Sequence, residues 1–409
     1  MDIADVDLND LDAFVDGRHH EMLATLRRQD PVHWQDEPGG PGWWAVTRHA
    51  DLLTVNRDTT TFSSAEGTNI PDLGEDGQIL TEMIVNMDPP RHTRYRLLVN
   101  KGFTPRMIGL LEDHLRARAV AIVDRVCETG SCDFVTDVAA ELPLQAIAEL
   151  LGVPQEDRHK LFDWSNRMIG ADDPTYNGDP ADAQAAAAEL YLYANTLGAE
   201  KRAVPANDIV STLANAELNG DKLTETEFDM FFLVLTVAGN ETTRNATSHG
   251  VRALIENPGE MAKLRADPSL LPSAVEEVLR WATPVHHFRR IATTDVELGG
   301  KTIKAGDKVV MWHTSANRDE EVFDDPFRFD ITRAPNDHIA FGGGGAHFCL
   351  GANLARMELR LIFEEVLDRM PDLALAGPVQ ILRSNFVHGI TSMPVTYTPT
   401  PATGSGVDG

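Results

Sequence analysis

Apolar residues recur at helical spacing through most of the chain and alternate at strand spacing in only a few short stretches. The first helix is expected over His19–Gln29, stopped by Asp30-Pro31, because a residue before proline avoids helical angles. Trp43–Val46 follows the turn residues 38–42 and reads as a strand of a small sheet near the N-terminus. Asp88-Pro89-Pro90 opens another helix, with its prolines where they cost least. From Met107 to Leu151 the pattern is helical and broken at Gly130, and further helices are expected over 155–168, 181–198 and 273–281. Asp172–Pro180 is a loop of turn formers. Short β-like pieces follow at Phe288–Thr293, Val296–Leu298, Thr302-Ile303 and Val309–Trp312, forming a small mixed sheet. A last helix begins near Ala352 and ends before Pro371. No repeat and no linker interrupts the pattern. The expectation is one mainly α domain over 1–409, with small β-sheets and a disordered tail from about Thr398 (398–409).

Thr224–Asn257 is the longest helical stretch. Thr224 and Glu227 form a capping box at its start, and Asn257-Pro258 closes it. Phe231–Ala238 is apolar all round and therefore buried. Polar residues then break in at Gly239-Asn240-Glu241-Thr242-Thr243. A polar group deep in an apolar helix is costly unless satisfied. Gly239 also leaves room in that turn. The segment supplies an acid and an alcohol at a pocket, or it is a surface turn with a tolerated glycine.

Two loops carry candidate chemistry. Ser63–Asp88 has little periodicity but holds Ile79, Met83, Ile84 and Met87, which suits a lid over an apolar ligand or a solvated loop. Phe341–Gly351 reads FGGGGAHFCLG and sets Cys349 where a helix begins. Free amides and the helix dipole at such a place favour a thiolate, the form that ligates metals. The plain alternative is a small buried hydrophobe, the commoner fate of a lone cysteine. His92 and Arg96, four apart, share a helix face and suit an anion, although from these residues alone a solvated polar face fits as well. Glu277 and Arg280 also share a face and by themselves say nothing about function.

Composition narrows the class. The chain has 63 acidic and 36 basic residues, a net charge of −27, which disfavours nucleic acid or an anionic membrane as main partner. The N-terminus is acidic and lacks a long apolar run, so neither signal peptide nor membrane anchor is expected. Three cysteines, Cys127, Cys132 and Cys349, make no disulfide framework, which points to a reducing, cytoplasmic setting.

In order and spacing, four motifs make the chain resemble the cytochrome P450 superfamily of haem-thiolate monooxygenases over nearly its whole length. They are Gly345-Ala346-His347-Phe348-Cys349-Leu350-Gly351, Ala238-Gly239-Asn240-Glu241-Thr242, Glu277-x-x-Arg280 and His92-x-x-x-Arg96. One departure is visible: Phe341 stands eight residues before the cysteine, where the family's usual aromatic stands about seven before, so the loop holds an extra glycine.

The resemblance implies the cytochrome P450 fold, with a long central helix over a haem b. It implies Cys349 as axial ligand, and His92, Arg96, Arg290 and His347 as partners of the haem propionates, with Phe341 also at the cofactor. Glu241 and Thr242 would relay protons to bound dioxygen, and Gly239 would let dioxygen and substrate approach. Glu277, Arg280 and a third partner, Arg328, would be structural. The pocket would be lined by Ile79, Met83, Val85, Val234, Ala238, Val285, Phe386 and Val387. The implied reaction hydroxylates an unactivated C–H bond with O2. No flavin or nicotinamide segment is visible, so a separate ferredoxin and its reductase would deliver two electrons. The likeness to actinobacterial sterol and methyl-branched lipid hydroxylases implies a bulky or long apolar lipid, with a terpenoid or polyketide as the alternative. Readings from other classes are a peroxide-driven peroxygenase and a non-catalytic haem gas sensor.

Overall fold

The computed structural model describes residues 1–73, 77–100, 103–169, 173, 179–205, 209–218 and 220–404. Most of the expected loop over 172–180 lies outside them. Helices dominate, and the longest, the central helix Glu225–Glu256, has 32 residues and is about 48 Å long. Its capping box is present: Thr224 accepts from Glu227 N–H at 3.1 Å, and Glu227 accepts from Thr224 N–H at 2.9 Å. Helices Pro105–Val126, Glu141–Leu150, Arg158–Ile169, Pro180–Ala203 and Leu271–Ala282 fall where periodicity places them. The main apolar core lies among these helices and the last one, Ala352–Arg369.

The small sheets depart from the expectation of a local N-terminal sheet. A five-stranded sheet runs Val32–Gln35, Trp43–Val46, Lys308–Trp312, His287–Ala292, Phe62–Ser63, so it joins both ends of the chain. Trp43–Val46 pairs parallel with Lys308–Trp312, in register Trp43 to Lys308; the other pairings are antiparallel. Alternation sends Val310 and Trp312 to one face, under the helix His19–Gln29, and Val309 and Met311 to the other, under His49–Arg57. Val296–Leu298 and Lys301–Ile303 form a separate hairpin. The tail is held as far as residue 404. Thr398 N–H donates to Asp372 at 2.6 Å and Thr403 N–H to Asp124 at 2.9 Å, which corrects the expectation of disorder from Thr398. The remainder of that tail lies outside the described residues.

Glu277 and Arg280, both wholly buried, clasp the approach to the cysteine loop. Arg280 donates to Glu277 at 2.8 Å through two nitrogens, and to the carbonyls of Asn317 at 2.8 Å and Pro326 at 2.9 Å. The third partner is Arg333 and not Arg328. Arg333 Nε donates to both Glu277 oxygens at 3.3 and 3.2 Å. The Arg328 side chain is 58% exposed and meets only Asp330, at 3.7 Å, while its carbonyl accepts from Arg280 and Arg333.

Glu358, on the last helix, is a buried acid whose Oε2 has no hydrogen-bond partner, and burial pushes its carboxyl up to about 8. A raised carboxyl is neutral in the fold at low pH, so stability falls as pH climbs from the ordinary range near 4.5 toward 8. Glu358→Gln is therefore expected to stabilise the protein at pH 8 by a few kcal/mol, on the order of 2–4, and to flatten stability between pH 5 and 8. Denaturant titrations of both proteins at pH 5.5 and 8 check this. Equal pH slopes would refute it.

Candidate active site

The four glycines of the cysteine loop all take positive φ, from 63° at Gly343 to 99° at Gly344, which only glycine adopts freely. This lets the loop fold back so that Cys349 N–H donates to Phe341 O at 3.0 Å. Asn56, on helix His49–Arg57, pins the loop by donating to the carbonyls of Gly342 and Gly344. Arg57 donates to Gly343 O at 3.2 Å. Glu276 holds both shoulders, accepting from His338 at 3.0 Å and from Arg356 at 2.6 Å. Arg356 lies 4.6 Å from the Phe341 ring centre, so that ring stacks under a guanidinium beside the sulfur loop.

Cys349 is an exposed residue whose thiol sits in dense surroundings. Burial pushes its thiol up, against the Gly351 amide and the charges of Arg96 and Arg356. The helix start alone thus does not secure the thiolate. A coordinated metal ion does so outright.

Arg96, whose charge reaches the sulfur, and Arg290, His92 and His347 form a basic cluster that feels the charge of Asp88 but, among the described residues, does not ion-pair with it. Arg290 is 3% exposed, donates to Arg289 O at 2.8 Å and Asn56 Oδ1 at 3.3 Å, and has a buried Nε with no partner. Burial lowers Arg290 to about 10 and His92 to about 4. The His92 and His347 rings lie 4.4 Å apart, and His347 Nε2 meets Ser64 Oγ at 3.2 Å. Burial, then Arg290, lowers His347 to about 2. Neither Arg96 nor Arg290 makes an ion pair among the described residues, although Arg96 donates to Asn100 at 3.1 Å. Buried cations in this state call for an anionic ligand. A flat dianion carrying a metal ion that the sulfur can reach, as haem is, fits all of these groups.

Along the central helix, Val234, Ala238 and Thr242 lie at i, i+4, i+8 on one face; Ala238 is exposed and the other two are half-buried, as are Val237 and Gly239 beside Ala238. Thr242 Oγ1 donates to Ala238 O at 2.7 Å. Glu241 is buried and bonded to Arg244, which also donates to Asn166 at 2.8 Å. Burial raises the Glu241 carboxyl and Arg244 opposes it. Gly239 does not leave its space to a ligand: a Cβ there would meet Ile147 Cδ1 at 2.2 Å. That glycine permits close helix packing, which corrects its expected role. Val285 bridges Val387, and Phe386 lies 5.9 Å from Phe288, so two of the expected pocket segments meet. Met83 and Val85 pack on the main core, whereas Ile79 is 43% exposed on the short helix Gly77–Leu80. Sequence reasoning missed Asn56, Arg333 and Arg356; the only signal was polarity near a motif.

The family model for cytochrome P450 matches residues 131–371. The chain belongs to the cytochrome P450 family. A steroid C26-monooxygenase of Mycolicibacterium smegmatis is 47% identical over 390 residues, covering 92% of this chain and 90% of that protein. A methyl-branched lipid omega-hydroxylase of Mycobacterium bovis is 42% identical, covering 97% and 95%. A solved Mycobacterium marinum cytochrome P450 in complex with pseudoionone superposes with TM-score 0.88 at 41% identity, covering 94% of this chain and 97% of that one. The protein is thus a P450 monooxygenase, and the family's cofactor is haem.

Proposed function

We propose that this cytochrome P450 hydroxylates an unactivated C–H bond of a bulky or long apolar lipid, a sterol or methyl-branched chain. It would use O2 and two electrons from a separate ferredoxin served by a reductase. The observation that carries the site is a cysteine in the field of Arg96, at the end of the glycine loop, together with a buried Arg290 that makes no ion pair among the described residues and has an Nε without a partner. The lipid substrate is favoured by the relatives named for steroid and methyl-branched lipid oxidation. A terpenoid is the second reading, favoured by the solved relative in complex with pseudoionone.

Cys349 would hold the iron of haem b, with His92, Arg96, Arg290 and His347 on its propionates. The group supplies oxygen activation when bound. Thr242 holds a proton at Oγ1, on the same helix face as Val234 and Ala238, and Glu241, buried and paired with Arg244, is the acid from which that hydroxyl would be resupplied. The apolar residues of that face, with Val285, Phe386 and Val387, orient the substrate and exclude water.

The carrier would dock on the face of the cysteine loop. A cleft of about 440 Å³ there is lined by Arg57, Arg356, Phe341 and Phe348 and also by Glu276 and Asp337, so its apolar rings, more than a net positive charge, would meet the carrier. No described helix is long and apolar enough to cross a membrane, and the cytoplasmic setting remains part of this proposal.

A panel of sterols, terpenoids and branched fatty acids, scored by the haem spin shift and by product analysis, tests the substrate. A shift with terpenoids alone would displace the lipid reading. No shift with any of them would favour a gas sensor. Thr242→Ala is expected to keep substrate binding while product per electron pair falls roughly tenfold or more and peroxide rises. Unchanged coupling would remove Thr242 from the relay, and faster turnover with peroxide than with a ferredoxin would favour a peroxygenase.

A further inference from the structure

His19 opens the helix His19–Gln29, His286 precedes the strand His287–Ala292, and His388 precedes the strand Ile390–Ser392. The last two are joined by a short antiparallel bridge. Val285 pairs with Val387, His286 N–H donates to Phe386 O at 2.8 Å, and His388 N–H donates to Pro284 O at 2.9 Å. One nitrogen from each of the three imidazoles lies within 4.8 Å of the other two. His19 and His286 are each 1% exposed.

Each ring has its Nδ1 engaged. That of His19 faces Ala13 O at 3.4 Å, that of His286 faces Thr314 Oγ1 at 2.7 Å, and that of His388 faces Ala282 O at 2.5 Å. The carbonyls facing His19 and His388 keep the proton on Nδ1 and leave the Nε2 lone pair free, and the Thr314 hydroxyl can accept from His286 Nδ1 to the same effect. Outer acceptors orient metal-bound histidines in the same way. The His19 Nε2 is buried without a hydrogen-bond partner. In a purely structural stack of rings that atom stays unsatisfied, at a cost of about 1–3 kcal/mol. Burial, above all, keeps the rings neutral: His19 is lowered to about 4, and His286 and His388 lie well below their ordinary value. Neutral imidazole is the ligating form.

We propose that His19, His286 and His388 form a three-histidine site for a borderline transition-metal dication, zinc foremost, with a small anion as fourth ligand. Three imidazoles without a carboxylate select zinc, copper or nickel over calcium and magnesium. The anion follows from charge. Arg318, whose field reaches His19 and His286, repels a bare dication, and its Nε and Nη1 are buried without partners. The site would tie the helix His19–Gln29 to the bridge whose other face carries Val285 and Val387. It does not depend on the haem assignment.

The test uses tag-free, haem-loaded protein incubated with zinc chloride, then dialysed against metal-free buffer. Elemental analysis should find one zinc per chain beside the iron. The zinc K-edge spectrum should show about three imidazole nitrogens near ~2.0 Å and no sulfur. His19→Gln, His286→Gln and His388→Gln should each weaken zinc binding at least about thirtyfold, and Thr314→Val about tenfold, by loss of ligand or of its orienting partner. His114→Gln, a change on an exposed ring elsewhere, should leave it unchanged. No retained zinc, sulfur in the zinc shell, or wild-type zinc affinity in the three glutamine variants would overturn the site. Where a variant does not fold, the wild-type spectrum and stoichiometry still decide.

Discussion

Arg333→Ala will lower the unfolding free energy by about 3–5 kcal/mol, because it takes one cation from a buried carboxylate. Arg328→Ala will change it by less than about 0.5 kcal/mol. Glu277 is wholly buried and receives Arg280, Arg333, Asn336 and the Asp330 amide, so it has no water to fall back on. Arg328 is exposed and offers the clasp only a carbonyl, which alanine keeps. Urea denaturation of the two variants, followed by far-UV signal, separates them. Equal losses, or a larger loss for Arg328→Ala, would reinstate Arg328 as the third partner. Haem retention should follow the same order, since the clasped segment leads into the cysteine loop.

Cys349→Ala is expected to abolish carrier-driven turnover and to remove the red-shifted Soret band of the reduced carbonyl complex. The fold should survive, because Cys349 is an exposed residue and the loop is held by Asn56, Arg57 and the Phe341 carbonyl, none of which needs the sulfur. Cys127→Ala serves as control. Its sulfur is buried and meets Arg369 at 3.1 Å, far along the last helix from the loop. A red-shifted band in Cys349→Ala, or its loss in Cys127→Ala, would assign the iron to another ligand.

Helices were legible because each has one local cause. Thr224 and Glu227 mark the central helix to within a residue, and Asp30-Pro31 ends the first. Three strands of the sheet were legible, while Val32–Gln35 and Phe62–Ser63 and all the pairings were not, since nothing near Trp43 names Lys308 as its neighbour. At the site, Cys349 and the motif residues were readable from spacing. Asn56 and Arg333 were not, because their partners are carbonyls and acids distant in sequence or shared with other groups. Gly239 was read as open space for a ligand, whereas a neighbouring helix fills it, a distinction that only packing makes. Arg328 was assigned from a motif, and side-chain direction decided otherwise.

The parallel pairing of residues 43–46 with 308–312 has a cost during synthesis. The partner strand emerges 308 − 46 = 262 residues later, which at ~5–20 residues per second is a delay of roughly 10–50 s. Through that interval the nascent chain carries Trp43, fully covered in the finished protein, without Val310 and Trp312, the members of its core cluster that the late strand supplies. Its production in a foreign host should therefore depend on holdase chaperones and on slow, cool expression more than its native stability would suggest.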